Sequence, residues 1–195
     1  MSDLDFIEDF FSDSLSCIER ARTEIAPLIQ KAATLQSQRL DAGHKILVAG
    51  NGGSAADSLH YSSELLNKYL IVRRPLPAIC LNADVSALTA ISNDESYDKV
   101  FSKQIEALGQ PGDILVVITS SGNSPNLVQA VKAAHDADMQ CIALNGKTGG
   151  ELNSVLHDKD INIVVSGSLT SHVQEVHSII IHLFCDLIDQ HLFSS

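Results

Sequence analysis

Five short runs recur along the chain with helical text between them: "KILVAG" from Lys45, "LPAICLN" from Leu76, "DILVVIT" from Asp113, "MQCIALNG" from Met139 and "INIVVSG" from Ile161. Each is apolar almost throughout. Strict alternation would mark a sheet with one wet face, whereas continuous apolar text needs burial on both faces, which a parallel sheet covered by helices provides. Helical patterns begin near Ser54, Glu95 and Ser124, and a last one runs from about Ser171 to Leu192. Ahead of the first strand, residues 3 to about 41 carry Leu4, Ile7, Phe10, Phe11, Leu15, Ile18, Ile25, Leu28 and Ile29 at three- and four-residue steps, a helical period. The pattern predicts a doubly wound α/β domain with a five-stranded parallel sheet of flavodoxin-like type. A single domain spans 1–195, with an N-terminal helical arm over 1–41 and the α/β core over 45–195.

A chain of 195 residues, 45% hydrophobic and 19% charged, suffices for one such core. Its formal net charge of -11 argues against nucleic acid or an anionic membrane surface as partner, since both need a positive face. Cys17, Cys80, Cys141 and Cys185 lack CxxC spacing and read as reduced core residues of a cytoplasmic protein. The N-terminal "MSDLDFIEDF" is acidic where a secretion signal would be basic, and no apolar run approaches the roughly 18 residues of a membrane span. No low-complexity segment or fixed-period repeat is present.

In open α/β sheets ligands sit beyond the carboxyl ends of the strands, so the loops there carry the information. Asn51-Gly52-Gly53-Ser54 follows the first strand, and Ser120-Ser121-Gly122-Asn123-Ser124-Pro125 follows "DILVVIT". Ser124 is placed as an N-cap with proline at the first helical position, so backbone N–H groups and the positive helix end face the loop. Hydroxyls beside such a helix start suit a phosphate monoester without requiring arginine, although serine and glycine also serve as plain turn residues. "GNGGS" is not the dinucleotide fingerprint, because position 55 is alanine, and neither loop has the lysine of a nucleotide-binding P-loop. A sugar phosphate fits better than a nucleotide.

His60 and Glu64 stand one turn apart on one helix face, directed back toward the glycine loop. They suit a metal or acid/base pair, or simply a solvated polar face. The last helix carries Gln174, His177 and His182 amid "VHSIIIHLFCDLI". Gln174 and His182 are eight residues apart, about 80° around the helix, and share one broad face. His60, Glu64, Gln174 and His182 together offer an N/O donor set for zinc or a similar divalent ion. His177 reads either as a partner behind the site or as a satisfied core histidine. His44, His135, His157 and His191 receive no functional reading.

The text "GNGGSAADSLHYSSEL", "LPAICLN", "SNDESYDKVFSKQIEALGQPGDILVVITSSGNSPN", "GGEL" and "VQEVHSIIIHLFCDLID", in this order, resembles the SIS (sugar isomerase) family and, within it, the phosphoheptose isomerases, nearly end to end. The resemblance implies a cytoplasmic homotetramer that interconverts sedoheptulose 7-phosphate and D-glycero-D-manno-heptose 7-phosphate through an enediol, the step that opens the ADP-heptose route to lipopolysaccharide core. It places substrate contacts on Asn51, Gly52, Gly53, Glu64, Asn93, Asp94, Thr119, Ser120, Ser121, Ser124 and Gln174. Zinc ligands fall on His60, Glu64, Gln174 and His182, and the acid/base pair on Glu64 and His182. Thr119 stands where serine is frequent and keeps the hydroxyl. His172 stands where arginine commonly precedes the "QE" step, a change expected to alter contacts near the substrate.

The closing "FCDLIDQHLF" also resembles the DnaA-initiator-associating proteins of the same fold, tetrameric binding proteins of replication initiation. That class typically lacks the acid/base side chains, and this chain has both Glu64 and His182, which favours an enzyme. A sugar-phosphate sensor would keep the serine loop but would not need Glu64. The apolar stripes of the arm and last helix exceed what one small sheet covers and are expected to pack between subunits.

Overall fold

The computed structural model describes residues 1–194; Ser195, the last residue of the expected domain, lies outside them. The five apolar runs form β1 (Ile46–Gly50), β2 (Ala78–Cys80), β3 (Ile114–Ile118), β4 (Gln140–Gly146) and β5 (Ile161–Val165), paired in parallel in the order β2-β1-β3-β4-β5. This is the flavodoxin-like order. Every residue of β1 and of β3 is buried. Successive side chains point to opposite faces. Ile46 and Val48 therefore enter one core with Ile114, Val116, Tyr61 and Phe184, while Leu47 and Ala49 enter the other with Leu115, Val117, Phe101 and Val131.

The helical arm is two helices, α1 (Asp3–Glu24) and α2 (Ala26–Asp41). Pro27 is the reason. In the first turn of α2 its missing N–H goes unnoticed, but its ring cannot sit inside a continuous helix, so the chain breaks at Ile25. Downstream, α3 (Gly53–Leu66), α6 (Pro125–Asp136) and α8 (Thr170–Phe193) match the helical patterns.

The helix expected to start near Glu95 is replaced by three pieces: α4 (Val85–Asp94), a 3-10 turn (Tyr97–Lys99) and α5 (Ser102–Leu108). Two caps set these boundaries. Asp84 accepts from the Ala87 N–H at 2.9 Å and starts α4; Ser96 accepts from the Asp98 N–H at 3.1 Å and starts the turn. No residue of α4 is fully buried, so its sequence lacks a strong apolar stripe. A single turn, α7 (Leu152–Val155), lies between β4 and β5.

From β1 the chain crosses to β2 on one side of the sheet, and from β3 to β4 on the other. The ends of β1 and β3 therefore frame the crevice where the strand order reverses. All four cysteines are buried and free. Among the described residues no helix is long and apolar enough to cross a membrane.

Candidate active site

The crevice holds a cavity of about 190 Å³ lined by Asn51, Ser54, Ile118, Thr119, Ser120, Ser121, Ser124, Thr170 and Gln174. Two loops build it. After β1 the chain turns at Gly52, whose φ of 57° and ψ of -123° suit only glycine, and α3 starts at Gly53. After β3 the serine loop leads to Pro125 at the head of α6. Ser124 occupies the N-cap position as expected, but its hydroxyl makes no capping bond and stays available to the cavity. The hydroxyl of Thr119 turns inward, accepting from the Ser121 and Gly122 N–H groups at 3.4 and 3.2 Å. No arginine or lysine lines the cavity, so an anion there would be held by hydroxyls, amides and the helix start.

Asn51 is fixed by a reciprocal amide pair. Its Nδ2 donates to Asn126 Oδ1, and Asn126 Nδ2 donates back to Asn51 Oδ1, both at 2.9 Å, while Tyr97 Oη donates to the same oxygen at 3.0 Å. Neither Asn126 nor Tyr97 carries a motif that would have singled it out.

A third loop, residues 147–151, backs the serine loop. The Leu152 N–H donates to the Gly122 carbonyl at 3.0 Å and the Glu151 N–H to Asn123 Oδ1 at 2.9 Å. Buried Asn145 holds this support, donating to the Gly149 carbonyl at 2.8 Å and accepting from the Gly146 N–H. His177 Nε2 lies 3.0 Å from the Asn145 carbonyl, so this nitrogen carries the proton and donates. Burial pushes the His177 imidazole down to about 4, opposed by the bond to Asn145, so it is neutral and behind the site. Its Nδ1 has no partner among the described residues.

The remaining polar residues line a seam where α3 and α8 run side by side. Gly53 abuts the Gln174 amide, Ser178 donates to Asp57 Oδ1 at 3.4 Å, and the rings of His60 and His182 meet edge-on at 5.1 Å. Burial raises the Asp57 carboxyl, against the Ser178 bond and the nearby His60. His60 Nε2 is 3.4 Å from Glu64 Oε1, and Tyr69 stacks on His182 at 5.5 Å. Arg73 closes the seam. It bonds Asp189 at 2.6 Å and the carbonyls of Glu64, Leu65 and Asn67, capping the end of α3 while tying it to α8.

The structure sets His60 against both Glu64, at 3.4 Å, and the His182 ring. Gln174, eight residues earlier on α8, lines the serine-loop cavity beside Gly53. Asn93 and Asp94 end α4, exposed and bonded to each other at 2.8 Å, and do not line the cavity. His172, expected near the substrate, is buried edge-on against Phe10 at 4.6 Å, beneath α1.

The SIS domain model matches residues 9–146. The phosphoheptose isomerase of Shewanella denitrificans is 50% identical over 190 residues, covering 97% of each chain. That of Chromohalobacter salexigens is 51% identical over 185 residues, 95% of this chain and 94% of its own. Among solved structures, the phosphoheptose isomerase GmhA of Neisseria gonorrhoeae superposes with a TM-score of 0.92 at 42% identity, over 97% of this chain and 100% of that one. A phosphoheptose isomerase from Francisella tularensis gives 0.93 at 40% identity over the same shares.

Proposed function

Because the chain belongs to the SIS domain family and, within it, to the phosphoheptose isomerases, we propose that it interconverts sedoheptulose 7-phosphate and D-glycero-D-manno-heptose 7-phosphate, opening the ADP-heptose route to lipopolysaccharide core. It is a sugar-phosphate isomerase. The observation that carries this reading is the hydroxyl-lined cavity of the serine loop, whose wall residue Gln174 stands on the same helix as His182.

In this reading Thr119, Ser120, Ser121 and Ser124, with Asn51, Gly52, Gly53 and Gln174, bind the phosphate end, and Asn93 and Asp94 contact the sugar. Glu64 takes the proton from C1 of the ketose. As O2 gains a proton, the electron pair left on C1 relocates to form the C1=C2 enediol. The O1 hydroxyl then gives up its proton while a proton returns to C2, leaving the aldehyde at C1. His182 handles the oxygen protons, a role suited to an imidazole. Its ring is oriented by the Tyr69 stack.

His60, Glu64, Gln174 and His182 would hold a zinc ion, a nitrogen and oxygen donor set that suits it. Bound there, the metal supplies Lewis-acid polarisation of the substrate oxygens. The exposed apolar residues of α1, Leu4, Phe6, Ile7, Phe11 and Leu15, support packing into a homotetramer. The four buried free thiols accord with a cytoplasmic location. The replication-binding alternative gives way to the enzyme reading, since the relatives at half identity are named isomerases. An NMR assay with sedoheptulose 7-phosphate tests the proposal: wild-type inactivity at saturating substrate with zinc supplied would sink it.

A further inference from the structure

At the end of the sheet opposite the serine loop, three side chains converge from separate elements. His135 lies in the last turn of α6, His157 in the loop after α7, and Asp160 just ahead of β5. Among the described residues they are the one set of three His, Cys, Asp or Glu side chains whose donor atoms all lie within 4.8 Å of one another. His135 Nε2 is 2.7 Å from Asp160 Oδ2, and the rings of His135 and His157 stack 3.7 Å apart, 13° from parallel.

Two of the three donors are already fixed. The Asp160 side chain is only 1% exposed, and its Oδ1 accepts from the Cys141 N–H while Oδ2 accepts from the His157 N–H, each at 2.8 Å. It cannot turn away. His135 stands on a helix with 9% of its side chain exposed. His157 is exposed, which gives both an entry path and one adjustable donor.

We propose that His135, His157 and Asp160 form a binding site for a borderline divalent transition-metal ion of the zinc, cobalt or nickel class, separate from the α3–α8 seam. Two imidazoles with one carboxylate suit these ions, whereas calcium and magnesium require oxygen donors. The ion takes the place of the hydrogen between His135 Nε2 and Asp160 Oδ2, and the neutral imidazole carries its one proton on Nδ1 instead. The two atoms part from 2.7 Å to the ~3.3 Å edge of a tetrahedral site. The exposed His157 ring turns from its stacked pose to present a nitrogen edge-on. The Cys141 and His157 amides already hold the carboxylate, as outer partners of metal ligands do. Binding ties the end of α6 to the β4–β5 edge and stabilises the folded chain.

The full chain carrying His60→Ala and His182→Ala, which removes the other histidine set, is stripped with chelator and titrated with zinc chloride by calorimetry. One zinc per protomer is expected, with a zinc-induced rise in Tm. Adding His157→Ala, an exposed change that leaves the Asp160 hydrogen bonds to backbone in place, should weaken binding at least tenfold and remove that rise. No zinc bound by the starting variant, or equal binding with and without His157, overturns the proposal. Should the double variant fail to fold, cobalt(II) absorption of the wild-type chain and of His157→Ala alone decides: one equivalent fewer supports the site, and equal stoichiometry refutes it.

Discussion

His60 Nε2 stands 3.4 Å from Glu64 Oε1, one turn along α3, and the same ring meets His182 edge-on at 5.1 Å across the seam. In the proposed reaction Glu64 works on carbon and His182 on oxygen, so each side chain has its own signature. Glu64→Gln keeps the shape and removes the base, and kcat should fall by about 10²–10⁴ with KM little changed. In heavy water the wild type should load solvent deuterium onto the reacting carbons, while Glu64→Gln should not. Deuterium uptake by Glu64→Gln at the wild-type rate would assign the base elsewhere.

Arg73 and Asp189 form a buried pair with side chains only 1% and 4% exposed, and the same guanidinium reaches three carbonyls at the end of α3. Removing Arg73 strands a buried carboxylate, so Arg73→Ala should lose about 3–5 kcal/mol in denaturant unfolding. Arg73→Lys should rescue little, because a lone ammonium cannot reproduce the planar fork. Adding Asp189→Leu to Arg73→Ala should recover part of the loss. A double variant no more stable than Arg73→Ala would show that the stranded charge is not the cause.

His177 gives the fold a pH dependence with a definite sign. Burial holds its imidazole at about 4 in the folded chain, against 6.5 ordinarily. Between those values the unfolded chain binds a proton that the folded chain does not, so stability rises with pH across the window and is lost as pH falls from about 6.5 toward 4. At 1.36 kcal/mol per pH unit the full contribution is about 3 kcal/mol. His177→Gln, whose amide can still donate to the Asn145 carbonyl, should match the wild type near pH 7 and show a flatter unfolding curve between pH 4 and 6.5. An unchanged slope would remove His177 from the account.

The strands and serine loop were legible because their signals are local: unbroken apolar runs, and hydroxyls just ahead of Pro125. What escaped depends on partners far along the chain. Asn126 matters through a residue 75 positions away, and Arg73 through one 116 away. The α4 helix escaped because it buries nothing fully and so leaves no periodic mark. His172 and His177 are lone histidines in one apolar helix, alike as text. Five residues rotate them about 140° apart, so one meets Phe10 and the other the Asn145 carbonyl. Likewise Gln174 and His182 share a broad face on a helical wheel, which does not tell that one lies at the serine-loop cavity and the other against His60 and Tyr69.

Gly53 separates stability from binding. A Cβ there would stand 2.6 Å from Gln174 Nε2, the movable end of a side chain that lines the serine-loop cavity. Gly53→Ala should therefore fold without difficulty, since alanine favours the helix by about 1 kcal/mol over glycine. The added methyl should push the Gln174 amide out of position, and loss of one such hydrogen bond weakens binding by about 5- to 10-fold. Expected together are an equal or higher Tm and a raised KM for the sugar phosphate, with kcat held within about twofold if Gln174 serves the phosphate end alone. Gln174→Ala should reproduce the KM change, and combining the two substitutions should add little, because both remove the same contact. Additive losses would mean that Gly53 contributes to the cavity through its own backbone, independently of Gln174.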